Sequence, residues 1–255
     1  MTIFEVKPLT DEPVGSPQLP PGYWKDLERC ANVEFIRAQV EGQKIDNRTA
    51  DALATTATIS AEREINTVKW EQASNSRNRE YHFTDQVGPD SVSAAVDTFS
   101  RWDRLDSQSE EAGETPKRSY KFVICSAGGS VVHGMKLYST LKAIAGKRDL
   151  TTVASGICAS MATVLHQTGT RRIIEPGCSY LIHDVSGDSG GSLGQMQDAM
   201  EWMNALNAEL HKALAEKSNM TVEEVAALGK RRDAWFMPTQ VVEMGLADEI
   251  GYAIH

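Results

Sequence analysis

The chain from Tyr81 onward is predicted to adopt an α/β fold, on three observations. Short apolar runs such as Tyr120-Lys-Phe-Val-Ile-Cys125 and Leu150-Thr-Thr-Val-Ala-Ser155 read as buried strands. Between such runs, apolar side chains recur every three or four residues, as in Leu137, Tyr138, Leu141 and Ile144, the period of a helix with one buried face. Strand and helix patterns then alternate along the chain, which is the signature of the α/β class. The third observation is the junction Ser155-Gly156-Ile157-Cys158-Ala159-Ser160-Met161-Ala162, where small residues lead from a strand into the helix-compatible stretch Met161–His166.

Residues 1–24 carry Pro8, Pro13, Pro17, Pro20 and Pro21 among few apolar side chains. Such a composition buries too little surface to order itself, and a flexible or docked arm is expected. Lys25 to Val40 fits a helix ended by Gly42, and Asp46 to Trp70 is again helix-compatible, with Ile59, Ile65 and Val68 as packing positions. This extension either packs on its own subunit or receives a partner; it carries no chemistry that decides. A boundary is expected at 77/78, separating the arm and helical extension (1–77) from the main domain (78–255).

Within that domain Arg79–Phe83 is expected as a first strand. Pro89-Asp90 opens a helix in which Val92, Val96, Phe99, Trp102 and Leu105 share a face. Asp106 to Ser119 is polar and turn-rich and reads as a solvated loop. The strand Tyr120–Cys125 delivers the Gly128-Gly129 turn, followed by a helix over Gly134–Ala145. The next strand, from Leu150, is expected to stop at Gly156, and Arg172–Glu175 and Tyr180–His183 supply two more. After the turn Gly187–Ser192, the residues Leu193, Met196, Met200, Met203, Leu206, Leu210 and Leu214 form the longest helical stripe in the chain. It exceeds what one domain needs to cover a core, although methionines also fill ordinary cores; both readings stand at this point. Thr221-Val-Glu-Glu224 has capping-box spacing and starts a helix running to about Gly229, with Asp233 in the turn beyond.

Composition narrows the function. At 255 residues with 41% hydrophobic content the chain supports a sizeable packed core. A formal net charge of −9 argues against general nucleic-acid or anionic-membrane binding. No apolar run approaches the ~20 residues that span a bilayer, and Met1–Lys7 lacks the basic start and apolar core of a signal peptide. Cys30, Cys125, Cys158 and Cys178 show no CxxC spacing; free thiols in a reducing cytoplasm are expected, with no metal site and no cofactor.

The chemistry centres on Ser160. A serine at a strand-to-helix turn presents its hydroxyl beside the first amides of the helix, which can stabilise an oxyanion after attack. A base and a carboxylate are needed to activate it. His183, at the end of Tyr180-Leu-Ile-His183, is the best placed of six histidines. Asp233, in Lys230-Arg-Arg-Asp233, is the expected orienter; Asp184 is adjacent to His183 on a strand and points to the opposite face. Cys158 offers a competing thiol nucleophile. Upstream, Gly128-Gly129 brings backbone N–H groups close to a substrate carbonyl.

These residues, in this order, resemble the Clp protease proteolytic subunit. The resemblance rests on Gly128-Gly129-Ser130 with Gly134-Met135, Ala159-Ser160-Met161, Ile182-His183, and Arg232-Asp233 with Glu243-Met-Gly245-Leu-Ala-Asp248. The intervals of 23 residues from Ser160 to His183 and 50 from His183 to Asp233 are close to those of that family. It covers about residues 78–255 and implies a spiral of ββα units, with the 193–214 stripe as a protruding handle helix. It also implies serine endopeptidase activity from Ser160, His183 and Asp233, with the Gly129 and Met161 amides as oxyanion donors. A homo-oligomer of heptameric, stacked rings acting on protein or peptide substrates is implied too. No GxxxxGK[ST] is present, so any ATP-driven unfolding belongs to a separate AAA+ partner. Cys125-Ser-Ala stands where that family commonly has Asn-Ser-Pro. With the N-terminal extension and the 106–119 segment, this departure points to a divergent member, such as a phage-encoded, accessory or capsid-maturation form. Two rival functions keep parts of the pattern: a scaffold subunit without chemistry, and an acyl-CoA enzyme of the related crotonase fold.

Overall fold

The computed structural model describes residues 56–61, 74–75, 78–114, 119–187, 190–230 and 232–252. The chain divides into two units, Met1–Val68 and Lys69–His255. In the first, residues 56–61 are helical; the proline-rich arm and the helix expected over Lys25–Val40 lie outside the described residues.

The second unit is built on one sheet. Its strands are β1 (Ser74–Asn75), β2 (Glu80–Phe83), β3 (Tyr120–Ser126), β4 (Leu150–Ala159), β5 (Arg171–Ile174), β6 (Ser179–Ile182), β7 (Ala234–Phe236) and β8 (Glu249–Ile250). The spatial order is β1-β2-β3-β4-β5-β8, with β6 and β7 branching from β4. β2 to β5 and β8 run parallel, and β1 and β7 pair antiparallel. Parallel neighbours require crossovers, and helices supply them: α1 (Pro89–Glu111), α2 (Val131–Ala145) and the short α3 (Met161–His166). Helices α4 (Leu193–Ala215), α5 (Val222–Gly229) and α6 (Pro238–Glu243) follow β6. An α/β fold with a central, mostly parallel sheet is therefore present.

The core lies between the sheet and the crossover helices. Phe99 is its hub, with ring centroids 5.3 Å from Trp102 and 5.5 Å from Phe122, both edge-on, the favoured arrangement for aromatic pairs. Four departures from expectation stand out. α1 continues through Glu111, so Asp106–Glu111 is helix and not loop. Asp106 is only 2% exposed; a carboxylate tolerates that depth because Arg79 Nε donates to it at 3.0 Å and Tyr120 Oη at 2.8 Å. α2 begins at Val131, capped by Ser130, a turn ahead of the predicted start. β7 and β8, both short, carry too little periodicity to be read from sequence.

The fourth departure shapes the site. β4 does not stop at Gly156 but runs through it to Ala159. Its first half pairs with β5, and Ile157–Ala159 pair instead with β6. The changeover is accompanied by a register shift against β3, between Ile124–Ala154 and Ser126–Cys158. Gly156 occupies this irregularity with φ +61°, and an added Cβ would meet Cys125 Sγ at 3.2 Å.

Candidate active site

Three strand ends converge where β4 branches. Ser160 directly follows β4, His183 directly follows β6, and Asp233 directly precedes β7. The ladder pairs Ala159 with Leu181 and Ile182 with Ala234. One step beyond the paired strands therefore sets Ser160 level with Ile182, the residue before His183, and His183 opposite Asp233. The Ser160 Oγ lies 2.8 Å from His183 Nε2, and His183 Nδ1 lies 3.2 Å from Asp233 Oδ1. Ser160 and His183 are half-buried, whereas the Asp233 side chain is 63% exposed.

Ser160 has φ +56° and ψ −127°, a conformation rare for a residue with a side chain. The surroundings hold it there. Its N–H donates to Leu181 C=O at 2.9 Å, and its C=O accepts from Thr163 N–H at 2.9 Å and Thr163 Oγ1 at 2.6 Å. Gly128 packs against this turn; a Cβ there would stand 2.5 Å from Ala159 C=O and 2.7 Å from Ser160 Cβ.

Gly129 forms a parallel bridge with Val87, in which Val87 N–H donates to Gly128 C=O and Ser130 N–H to Val87 C=O. Alternation along an extended chain turns the Gly129 N–H to the other side. Gly129, Ser160 and His183 line one small pocket of about 60 Å³, walled by Val131, Ile182 and Leu210. Met161 opens α3, so its N–H is among the helix-end amides that have no partner within the helix. A larger cleft of about 1030 Å³ runs past Ser160 between the Gly128–Val132 segment and the Trp202, Met203 and Leu206 side of α4.

The other candidates are placed elsewhere. Cys158 is fully enclosed, and burial pushes its thiol well above the ordinary range, which disfavours the nucleophilic thiolate. Asp184 Oδ1 lies 3.8 Å from His211 Nε2, while Asp233 is the carboxylate at His183 Nδ1. His166 is buried with Nε2 at 3.0 Å from Ile173 C=O. His211, read from sequence as a surface or packing residue, lines the pocket beside Ser160 together with Asn207 and Thr163. Burial lowers its proton affinity, partly offset by Asp184. No spacing rule in the sequence marks Asn207 or His211; the only signal is their place on the inner face of the helix after His183. Among the described residues no group of three or more His, Cys, Asp or Glu side chains is arranged to hold a metal ion. No helix there is long and apolar enough to cross a membrane.

A hydroxyl, an imidazole and a carboxylate in this order form a geometry suited to acyl transfer. In comparison with known proteins, residues 111–253 match the Clp protease family model. The chain belongs to the Clp protease family. The ATP-dependent Clp protease proteolytic subunit of Streptococcus pneumoniae is 35% identical over 144 residues, 55% of this chain and 71% of that protein. Proteolytic subunit 1 of Leifsonia xyli subsp. xyli is 32% identical over 141 residues (54% and 70%). Subunit 2 of Tropheryma whipplei is 32% identical over 139 residues (54% and 76%). The family match spans Ser160, His183 and Asp233 together and starts near the end of α1. The strand β2 and most of α1, expected within the resemblance, precede it.

Proposed function

We propose that the chain is a cytoplasmic serine endopeptidase of the Clp proteolytic-subunit type. The observation that carries this reading is the unbroken relay from Ser160 Oγ through both nitrogens of His183 to Asp233. Asp233 accepts a hydrogen bond from the Nδ1–H and so holds the tautomer in which Nε2 is free to accept from Ser160. The Ser160 Oγ attacks the peptide carbonyl as its proton passes to His183 Nε2. The oxyanion forms beside the Gly129 and Met161 amides. On collapse the C–N bond breaks and the Nε2 proton goes to the departing amine, leaving an acyl group on Ser160. Water, deprotonated by the same imidazole, then releases the peptide acid.

The fold is read as a spiral of ββα units with α4 as the protruding handle. Leu193, Met196, Met200 and Trp202 are exposed along α4, support for contact between subunits in stacked, heptameric rings. Protein substrates would reach such enclosed sites only after a separate AAA+ ATPase unfolds them. The test is chemical. A fluorophosphonate probe is expected to label the wild type at Ser160, and Ser160→Ala to lose the label. Hydrolysis of a peptide ester should fall by ~10³-fold or more in that variant with particle mass unchanged. Unlabelled, inactive wild type would leave the scaffold reading standing, and activity retained in Ser160→Ala would end the serine-peptidase reading; turnover of an acyl-CoA thioester in place of peptide esters would favour the crotonase type.

A further inference from the structure

The ladder of β6 ends at Ile182, so His183 sits at the start of a segment outside the sheet. On the Nδ1 side its ring meets an exposed carboxylate, a contact that water competes for. The backbone around it is held by two helices instead. From α4, Asn207 Oδ1 accepts from Val185 N–H at 2.7 Å. One turn later on the same helix, His211 approaches Asp184. From the end of α5, Gly229 presses on His183 itself: an added Cβ would lie 2.7 Å from His183 Cα and 3.0 Å from its N. The base of the relay is therefore fixed from both sides, by Gly229 and by the tethers just downstream.

We infer that Asn207 is a positioning residue for the Ser160 reaction, holding the chain after His183 so that its imidazole stays within reach of Ser160 Oγ. This rests on the serine-peptidase reading above. Asn207 also lines the small pocket beside Ser160, so its tether must be separated from any role as a pocket wall. Asn207→Ala and Asn207→Asp in the full chain do so, measured on a glycyl ester, which sends no side chain into the pocket, and on a leucyl ester.

Loss of the tether is expected to lower kcat about 10- to 100-fold on both esters, with KM within about two-fold. Fluorophosphonate labelling of Ser160 should slow in proportion. Asn207→Asp keeps the acceptor oxygen and should recover most of the rate. Unchanged kcat in Asn207→Ala on the glycyl ester overturns the inference. So does equal impairment in Asn207→Asp, or a rise in KM confined to the leucyl ester. Should Asn207→Ala fail to fold, hydrogen exchange at the Val185 amide decides: rapid exchange in folded wild type overturns the tether, and protection retained in Asn207→Asp upholds it. A wild type that neither turns over ester nor takes the probe overturns the proposed function and this inference together. An active wild type with an indifferent Asn207→Ala overturns this inference alone.

Discussion

Ser160 sits in a backbone region where a side chain costs ~1–3 kcal/mol, and its neighbours keep it there. Replacing it by glycine removes that cost, whereas alanine retains it. Ser160→Gly is therefore expected to unfold at a higher denaturant midpoint than Ser160→Ala, by roughly 1 kcal/mol, with both variants inactive; urea titration monitored by circular dichroism measures the difference. His166 makes a prediction about pH. Burial lowers its pKa to about 4, against an unfolded value near 6.5. Above pH ~6.5 the ring is neutral in both states and stability is unaffected. As pH falls toward 4 the unfolded chain takes up a proton that the folded chain does not. Stability should drop over that window by on the order of 3 kcal/mol. A His166→Gln variant that still folds should show a flatter urea midpoint between pH 4 and 6.5; an identical slope would place the acid sensitivity elsewhere.

At the scale of elements, the long stripe of α4 separates into three zones. Leu210 and Leu214 are core, Met203 and Leu206 line the cleft, and Leu193, Met196 and Met200 face solvent. The core reading thus holds for Leu210 and Leu214, while the N-terminal half of the stripe is exposed. Met200 is 59% exposed, so Met200→Asp should leave the subunit fold and its thermal midpoint within about 1 °C, consistent with the small effect of exposed substitutions. If α4 mediates ring stacking, the same charge, unpaired in an apolar contact, is expected to split the particle. Light scattering reads this directly, and an unchanged mass would remove α4 from the interface. Met203→Asp should also weaken peptide binding, because that side chain faces the cleft.

For the whole molecule, β4 is the organising strand, because it carries two sheets' worth of neighbours along one length. Its inner half anchors the parallel sheet, and its outer half gathers β6 and β7 around Ser160. The N-terminal unit adds a question of processing. In the sequence Ile65 and Val68 are apolar positions whose exposure would be costly, whereas Ile59 is itself 45% exposed. The helical region is therefore expected to be retained, with trimming confined to residues before Lys25. Intact-mass measurement of the wild type beside Ser160→Ala checks it; a wild-type chain starting near residue 75 with a full-length variant would show a self-removed propeptide.

Local chemistry in the sequence was enough for the α/β class, for the capped start of α5 at Thr221 and for the relay candidates. Period, caps and the small residues around Ser160 are short-range signals. Reading Asp106 as solvated failed for the opposite reason: its burial depends on Arg79, distant in sequence, and a charge cannot announce a remote partner. The same holds for the continuation of β4 through Gly156, since a glycine that stops one strand serves equally as the irregularity that lets another change neighbours. Asn207, His211 and Gly229 have ordinary local contexts, and only packing brings them to the backbone around His183. Sequence spacing named Ser160, His183 and Asp233 as candidates; their distances were decided by the β4–β6–β7 register, because hydrogen bonding between strands, and not separation along the chain, sets which strand ends meet.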